Sequence, residues 1–362
     1  MAFIELGELC DKGTSNLAQK DLLIDSGRYP VYGAAGEITK VDFYQQSKPY
    51  LGIVKDGAGV GRVMRLPSNS SVIGTLQYIF PKDNVDLKYL YYLIKYLDLG
   101  KSNTGATIPH IYFKDYKKRK VKVKSYSEQT HIGKIFELLD MQLNTYKNTL
   151  KQYNLLVKSR FVEMFGDPNM VALDKSVKFS SVAKIITGNT PSRKSPDYYG
   201  DYIEWIKSDN IISTNLYISQ AKEFLSEQGA AKGRVAPKDS LLMTCIAGSI
   251  RSIGNVGICD RSVAFNQQIN AIVLKNNINP LYVYWLLKLF KPSIIANVEM
   301  SLKGIISKSQ LENMLIPIIA SQEEQELFIK FALQINKLKS DVQKSIDETQ
   351  LLMDSLMQEY FG

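Results

Sequence analysis

Apolar residues recur at alternating steps of three and four positions in two stretches of the chain, residues 125–166 and residues 319–362. This spacing places them on one narrow stripe of a helix, at the a and d positions of a heptad repeat. A narrow stripe favours two helices that pair as a coiled coil, because a helix lying on its own lobe needs a wider apolar face. The predicted coiled-coil seam comprises Ile132, Ile135, Leu139, Tyr146, Tyr153 and Leu156 in the first helix, and Phe328, Phe331, Ile335, Leu338, Val342, Leu352 and Leu356 in the second.

The rest of the chain alternates between short apolar runs and turns that contain glycine. Residues 49–66 and residues 240–260 each have a strand-like pattern that is interrupted by glycines. A short apolar helix is predicted after each of these segments, at residues 86–97 and 279–290. The patterns predict α+β lobes with mainly antiparallel strands.

The sequence repeats its own pattern. The segment SRFVEMFG at residues 159–166 corresponds to SLMQEYFG at residues 355–362, and YLYYLIK at residues 89–95 corresponds to YVYWLLK at residues 282–288. Matching segments in the same order indicate a duplication. The predicted domains are a first lobe at 1–124, a first helical spacer at 125–166, a second lobe at 167–318 and a second helical spacer at 319–362.

The order of these segments predicts how the helices pair. The first helix leaves the first lobe and ends at the second lobe. If the two seams pair, the second helix runs back in the opposite direction, so that Gly362 ends beside the first lobe. We therefore expect an α+β protein with an internal pseudo-two-fold repeat, in which two lobes are separated by an antiparallel coiled coil.

Composition and charge narrow the possible functions. The net charge is +9, and the excess lies in the two lobes, since the helical spacers are close to neutral or acidic. A basic excess of this kind points to a polyanionic partner. Cys10, Cys245 and Cys259 are widely spaced, which argues against disulfides or a zinc site and suits a reducing cytoplasm. We find no signal peptide and no apolar run of about 18 residues, so a cytoplasmic protein without membrane contact is expected.

Two basic lobes at a fixed separation suit double-stranded DNA, whose major-groove faces recur at regular intervals. The loops of the two lobes differ in their polar residues, which predicts two different half-sites. For each candidate the alternative is a solvated surface side chain, and for residues 266–270 it is a buried strand with satisfied amides. The candidate DNA contacts are Arg28, Tyr32, Lys55, Arg62 and Arg65 in the first lobe, and Thr190, Ser192, Arg193, Lys194, Lys207, Ser208, Arg251, Asn266, Gln267 and Gln268 in the second.

Motifs of catalytic proteins are missing from the sequence. The glycines of GAGVG at residues 57–61 lead into another strand and do not complete a dinucleotide fingerprint. The sequence has no P-loop, no HExxH motif and only two histidines, His110 and His131. A structural role is expected for His110. We therefore expect a non-catalytic binder without catalytic, cofactor-binding or metal-binding residues.

Taken together, the motifs resemble those of the specificity subunit of type I restriction-modification systems. The resemblance covers the whole chain. It rests on YPVYGAAG, TGNTPSRKSPDYYGD and CIAGSIRSIGNVGICDRSVAFNQQINAIV, and on the two helical repeats that end in FG. The first lobe departs from the pattern because it has no clear copy of GNTPS, so its contacts are less well defined.

This resemblance implies a DNA-binding subunit with two target recognition domains, each reading one part of an asymmetric bipartite site. It implies two methyltransferase (modification) subunits as partners, with the helical spacers as their binding surface, and restriction subunits in the full complex. Adenine methylation or restriction would then be carried out by the partners, and S-adenosylmethionine and ATP would bind to them.

Three other functions remain open from the sequence alone. A specificity subunit of this kind could serve a fused type II restriction–methyltransferase polypeptide. A catalytic nucleic-acid enzyme would need carboxylate-rich nuclease or methyltransferase motifs, which the sequence lacks. A coiled-coil scaffold linking proteins does not account for the basic lobes.

Overall fold

The computed structural model describes residues 3–22, 27–102, 109–275, 278–296, 298–300 and 304–362. They form two compact units. Unit 1 comprises residues 1–149 and 342–362, and unit 2 comprises residues 150–341. Each unit thus contains one lobe together with parts of both long helices.

The described part of unit 1 contains three sheets and a short apolar helix. Its elements are β1 (Phe3–Glu5), β2 (Cys10–Thr14), β3 (Tyr29–Gly33), β4 (Gly36–Val41), β5 (Tyr50–Val54), β6 (Val63–Leu66), β7 (Ser71–Val72), β8 (Leu76–Pro81), α1 (Leu87–Leu97), α2 (Phe113–Tyr116), β9 (Lys120–Lys122) and the long helix α3 (Tyr126–Phe165), which continues into unit 2. The sheets have the orders β2-β8-β5-β6, β4-β3-β7 and β1-β9.

The glycines between β5 and β6 form a tight connection. Gly57, Gly59 and Gly61 all have positive φ angles, which residues with a Cβ atom rarely adopt. A Cβ atom on Gly61 would also lie 2.2 Å from the backbone nitrogen of Gly100. The GAGVG segment therefore joins two antiparallel strands, which pair in register Gly52↔Met64.

The described part of unit 2 repeats this plan with additions. Its elements are β10 (Ser176–Lys178), α4 (Phe179–Val182), β11 (Ala183–Thr187), β12 (Tyr199–Ile206), β13 (Phe224–Leu225), α5 (Glu227–Lys232), β14 (Val235–Ala236), β15 (Leu241–Thr244), β16 (Ile246–Ala247), β17 (Val256–Ile258), β18 (Val263–Phe265), β19 (Ile269–Leu274), α6 (Pro280–Ala296), β20 (Glu299–Met300), β21 (Gly304–Ile305), α7 (Lys308–Asn313), β22 (Leu315–Pro317) and the long helix α8 (Gln322–Phe361), which continues into unit 1. The sheets have the orders β11-β19-β15-β17, β13-β12-β18-β14, β16-β21-β20 and β10-β22.

Most strand pairs are antiparallel, as expected from the sequence, but each lobe has one parallel pair at an equivalent place. In unit 1, β3 runs parallel to β7, with Tyr32 opposite Val72. In unit 2, β12 runs parallel to β18, with Ile206 opposite Phe265. Both parallel pairs bring the ends of two strands to the same edge of a sheet.

Both long helices begin with the same capping box. The backbone nitrogen of Ser125 donates to Glu128 Oε2 at 2.9 Å, and that of Ser321 donates to Glu324 Oε2 at 3.0 Å. The serine hydroxyls accept from the glutamate backbone nitrogens in return. The S-x-x-E pattern therefore fixes both helix starts by satisfying backbone donors that have no partner within the helix.

Within each unit, the start of one long helix packs against the end of the other. In unit 1, the ring centroids of Phe136 and Phe361 are 5.8 Å apart. In unit 2, those of Phe161 and Phe328 are 5.2 Å apart. Since the residue numbers run in opposite directions along the two helices, the pairing is antiparallel. The predicted fold class, an α+β protein with a repeated lobe and two paired long helices, is confirmed.

Burial along the helices differs from the predicted seam. Ile132, Leu139, Phe328 and Ile335 are buried, and Ile135, Tyr146, Tyr153, Phe331, Val342 and Leu356 are half-buried. The prediction is wrong for three leucines, because Leu156, Leu338 and Leu352 are 46%, 43% and 49% exposed. The buried apolar helix positions that the heptad pattern missed are Phe136, Leu143, Val157, Phe161, Ala332, Met353, Met357 and Phe361.

The lobes account for this difference. Phe136 packs on Tyr92 of α1, with ring centroids 4.9 Å apart, and Phe161 packs on Tyr282 of α6 at 5.6 Å. Each long helix therefore buries side chains against a lobe as well as against the other helix. The buried face is wider than the narrow stripe that a heptad pattern predicts.

Candidate nucleic-acid interface

The parallel strands β12 and β18 bring two predicted polar segments together in unit 2. Lys207 and Ser208 directly follow β12, and residues 266–268 directly follow β18. The backbone nitrogen of Asn266 donates to the carbonyl oxygen of Ile206 at 3.0 Å, which fixes the two strand ends side by side.

A third polar segment, the TGNTPS loop, lies against the same edge. The backbone nitrogen of Asn189 donates to the carbonyl oxygen of Phe265 at 3.2 Å. A Cβ atom on Gly188 would lie 2.1 Å from the carbonyl oxygen of Asn266, so the close approach requires glycine. Thr190 Oγ1 donates a hydrogen bond to Gln267 Oε1. We define the lobe-two polar surface as Thr190, Arg193, Lys207, Ser208, Gln267 and Gln268.

Two cations of this surface share one carboxylate. Arg193 Nη2 lies 2.6 Å from Glu223 Oε2, and Lys207 Nζ pairs with Glu223 Oε1. The hydrogen bond from Lys207, followed by that from Arg193, lowers the pKa of Glu223, so the carboxylate is ionised at neutral pH. Since two positive charges face one negative charge, the cluster keeps a net positive charge.

Aromatic rings orient the same two cations. The guanidinium carbon of Arg193 lies 4.4 Å from the ring centroid of Tyr199 and 5.1 Å from that of Trp205. Lys207 Nζ lies 5.0 Å from the Trp205 ring centroid. Stacking of this kind limits the freedom of a guanidinium and therefore prepares it for a bidentate contact.

The amides at the end of β18 divide into two groups. Asn266 is 6% exposed, and its Oδ1 accepts a hydrogen bond from the backbone nitrogen of Gln268 at 3.1 Å. Asn266 Nδ2 donates to Gln268 Oε1 at 3.1 Å. The alternative reading of a satisfied, buried amide therefore describes Asn266, whereas Gln267 is exposed at the tip of the turn.

The remaining candidates of the second lobe lie in exposed segments. Ser192 and Lys194 are exposed in the same loop as Arg193, and Ser192 Oγ accepts from the backbone nitrogen of Lys194 at 3.3 Å. Arg251 is exposed in the turn between β16 and β17, where its carbonyl oxygen accepts from Lys291 Nζ at 2.7 Å.

In unit 1, Tyr32 and Arg62 come to the equivalent strand edge. The backbone nitrogen of Ile73 donates to the carbonyl oxygen of Tyr32 at 3.0 Å, matching the bond between Asn266 and Ile206. Arg62 Nη1 donates to the carbonyl oxygen of Ala34 at 2.9 Å. Burial, followed by the charge of Glu37, raises the pKa of Tyr32, so its hydroxyl remains protonated at neutral pH. Arg28 is exposed just before β3.

Lys55 and Arg65 lie in other environments. Lys55 Nζ is 3.8 Å from Asp56 Oδ2, and Asp56 also pairs with His110. Arg65 Nη1 donates to Glu137 Oε1 at 2.8 Å and lies 5.3 Å from the ring centroid of Tyr91. Arg65 therefore stabilises the packing of β6 on α1 and α3, and it is not part of the edge formed by Tyr32 and Arg62.

The two lobes place different side chains on this shared scaffold. The parallel pairing aligns Tyr32 with Ile206 and Val72 with Phe265. Lys207 and Ser208 of the second lobe then correspond to Gly33 and Ala34, and Gln267 and Gln268 correspond to Gly74 and Thr75. The lobe-two polar surface has no chemical counterpart at the same positions of the first lobe.

Sequence reasoning missed the residues that hold the surface together. Tyr199 and Trp205 were visible as aromatic residues in the strand-like run YGDYIEWI, so their pattern could have been connected with the neighbouring cations. Glu223 had no such signal. A turn-rich segment separates it from Lys207 in the sequence, and only the fold brings the two side chains together.

Comparison with known proteins identifies the class to which this architecture belongs. The family model described as "Type I restriction modification DNA specificity domain" matches residues 1–152 and 175–348. The two matches correspond to the two repeats and cover most of the chain. The chain belongs to the type I restriction-modification DNA specificity family.

Individual relatives agree with this assignment. The MjaIX type I specificity subunit of Methanocaldococcus jannaschii is 25% identical over 183 residues, which are 48% of this chain and 41% of that subunit. The HindI specificity subunit of Haemophilus influenzae is 31% identical over 111 residues, which are 30% of this chain and 23% of that subunit. The chain therefore matches less than half of the length of these curated relatives.

Solved structures share the fold over nearly the full length. The S subunit of a type I restriction-modification system from M. genitalium superposes with a TM-score of 0.63 at 16% identity, covering 100% of this chain and 96% of that one. A second structure, described as showing complex assembly and conformational transition of the type I R-M system, superposes with a TM-score of 0.59 at 12% identity. The match covers 99% of this chain and 97% of that one. Among the described residues, no helix has the length and hydropathy needed to cross a membrane.

Proposed function

We propose that this chain is the sequence-specific DNA-binding subunit of a type I restriction-modification complex. Each lobe reads one part of an asymmetric bipartite site in double-stranded DNA, and partner subunits then methylate adenine or cleave the DNA. The observation that carries this proposal is the lobe-two polar surface, where three separate segments place cations and amides at one sheet edge. The first lobe has the same parallel strand pair with other side chains.

The chemistry of this surface suits base recognition. An arginine fork can donate two hydrogen bonds to guanine O6 and N7, and a glutamine can pair with adenine N6 and N7. Arg193 is oriented by two rings and Gln267 is exposed at a turn. Lys207 and Lys194 supply positive charge, which suits phosphate contacts that hold the lobe in register without specifying sequence.

The long helices offer equivalent surfaces for protein partners. Leu155 and Leu156 of α3 correspond by the internal repeat to Leu351 and Leu352 of α8. These leucines are 54%, 46%, 72% and 49% exposed. Apolar pairs repeated at two equivalent exposed positions support two methyltransferase subunits as partners, one for each pair. Restriction subunits would join the full complex, and S-adenosylmethionine and ATP would bind to partner subunits in the cytoplasm.

The proposal is tested by measuring DNA affinity over a salt series. Binding that neutralises several phosphates falls steeply as salt rises, because condensed counterions are released. We expect a linear decrease of log affinity with log salt for a duplex carrying the bipartite site, located by mapping methylated bases in cells that contain this chain and its partner. Affinity that does not depend on salt would contradict a DNA-binding role.

A further inference from the structure

A small pocket in unit 2 contains two lysines that pair with no carboxylate among the described residues. Its volume is about 20 Å³ and its lining has no carboxylate. A space of this size admits one small polar group, and it is too small for a nucleotide or a sugar. We define the lysine pocket by its main lining residues, which are Thr214, Tyr284, Trp285, Lys288, Asn336 and Lys339.

Both lysines bond only neutral groups. Lys288 Nζ donates to the hydroxyl of Tyr284 at 3.0 Å, and Lys339 Nζ donates to Asn154 Oδ1 at 2.9 Å. Within the described part of the chain, neither lysine has a carboxylate oxygen within 4.0 Å. Burial, followed by the charge of Lys339, lowers the pKa of Lys288 to about 8, and burial also lowers the pKa of Lys339. Two partly buried cations without an anion are unfavourable for each other.

The internal repeat shows what a neutralised version of this site contains. By the repeat, Tyr91, Tyr92 and Lys95 of α1 correspond to Tyr284, Trp285 and Lys288 of α6. In unit 1, Lys95 Nζ lies 3.7 Å from Asp140 Oδ1, and the hydroxyl of Tyr92 donates to Asp140 Oδ2 at 2.7 Å. The long helix therefore supplies a carboxylate to the lysine of the apolar helix.

The long helix of unit 2 differs at the two positions that decide the charge. Asp140 of α3 corresponds to Asn336 of α8, and Leu143 corresponds to Lys339. Unit 2 has therefore lost one negative charge and gained one positive charge around an otherwise equivalent lysine. Thr214 of the lining is exposed, so the pocket can be approached from solvent.

We propose that the lysine pocket binds one carboxylate that this chain does not supply, beside Asn336, which takes the position of Asp140. The carboxylate would accept hydrogen bonds from the ammonium groups of Lys288 and Lys339. It could be an aspartate or glutamate side chain of a partner subunit or a small free carboxylate, since both present the same group to the pocket.

The first experiment uses the full-length chain and the variant Asn336→Asp, which supplies the missing carboxylate internally. We expect its melting temperature to rise by about 2–4 °C, a shift typical of a modest stabilisation in a unit of this size. Acetate, compared with chloride at equal ionic strength, should stabilise the wild-type chain and lose this effect in Asn336→Asp.

Asp140→Asn is the matched control, because it makes the unit 1 site resemble that of unit 2. Its melting temperature should fall, and it should gain an additional response to acetate. An unchanged or lower melting temperature for Asn336→Asp, or an equal acetate response in the wild-type chain and Asn336→Asp, would overturn the proposal.

A second experiment distinguishes the two sources of the carboxylate by measuring assembly with the methyltransferase subunit. A partner carboxylate predicts about tenfold weaker assembly for Asn336→Asp than for Asn336→Ser, because the internal aspartate already neutralises the lysines and repels a second carboxylate. Equal assembly of the two variants, together with the acetate effect, assigns the site to a small free carboxylate. If the variants change only the salt dependence of DNA binding, with no effect on the acetate response or on assembly, the lysines contact a DNA phosphate. That result would overturn the proposal. The assembly and DNA-binding measurements rest on the proposed function, whereas the melting experiment fails or succeeds independently of it.

Discussion

At the scale of single residues, Glu223 holds two cations of the second lobe side by side. It pairs with both Arg193 and Lys207, while Tyr199 and Trp205 pack beneath them. In the proposed DNA complex, a guanidinium held in this way would lose less entropy when it forms two hydrogen bonds with a base, because its freedom is already reduced. Lys207 shares this carboxylate with Arg193 and, in the proposed complex, would contact a phosphate.

We predict that Arg193→Ala weakens binding to the specific duplex by about 1–3 kcal/mol and relaxes the preference at one base pair. The matched control is Lys178→Ala, which removes the same charge from an exposed position of β10, outside the lobe-two polar surface. The control should lower affinity slightly and equally for all sequences. Both affinities are measured by titration against duplexes with single base changes. Equal effects of the two variants on specificity would contradict a base contact by Arg193.

At the scale of elements, the ends of the long helices perform two different tasks. Phe361 is 6% exposed and packs on Tyr89, with ring centroids 5.4 Å apart. Phe165 makes the equivalent contact with Tyr282 at 5.1 Å. The FG ends are therefore part of the cores of the lobes, while Leu351 and Leu352, a few residues earlier in α8, face solvent. Removing residues 351–362 would disturb folding and partner binding together.

Single substitutions separate these two tasks. Phe361→Ala should destabilise the protein by about 3–5 kcal/mol, because it leaves a cavity among aromatic side chains. Leu351→Ala should change the free energy of unfolding by less than about 0.5 kcal/mol, since the side chain is 72% exposed, yet weaken methyltransferase assembly. Denaturant unfolding and an assembly titration measure the two effects. A large loss of stability in Leu351→Ala would show that this leucine has a structural role.

The sequence predicted those features of the fold that depend on local pattern. The two long helices, their FG ends and the glycine turn between β5 and β6 all follow from residues that are close in sequence. The predicted heptad seam was less accurate, because Phe136 and Phe161 are buried against tyrosines of the lobes. A heptad pattern describes only contacts between the two long helices. The pairing of Arg65 with Glu137 was missed for the same reason, since the partner lies on another element.

At the scale of the whole molecule, duplication gives one scaffold two chemical surfaces. The repeat preserves the parallel strand pair and the capping boxes, while the strand-end side chains differ between the lobes. On the proposed function, specificity would change in one lobe without altering the other, because the strand-end side chains of each lobe lie within that lobe.

We predict that replacing residues 167–318 with the corresponding lobe of a relative changes only one part of the recognised bipartite site. The donor lobe should retain an aromatic residue at the position of Tyr282, because this ring packs on Phe161 and Phe165 of α3. Mapping methylated bases before and after the exchange gives the result. A change in both parts of the site would contradict independent recognition by the two lobes.

The division of both long helices between the units also matters for folding during synthesis. Unit 2 is formed by one continuous segment, residues 150–341, whereas the core of unit 1 includes Met353, Met357 and Phe361 from the far end of α8. Tyr89 and Phe136 are synthesised long before Phe361, whose ring packs on both of them. The lobe that is translated first therefore cannot complete its core until the far end of α8 is available.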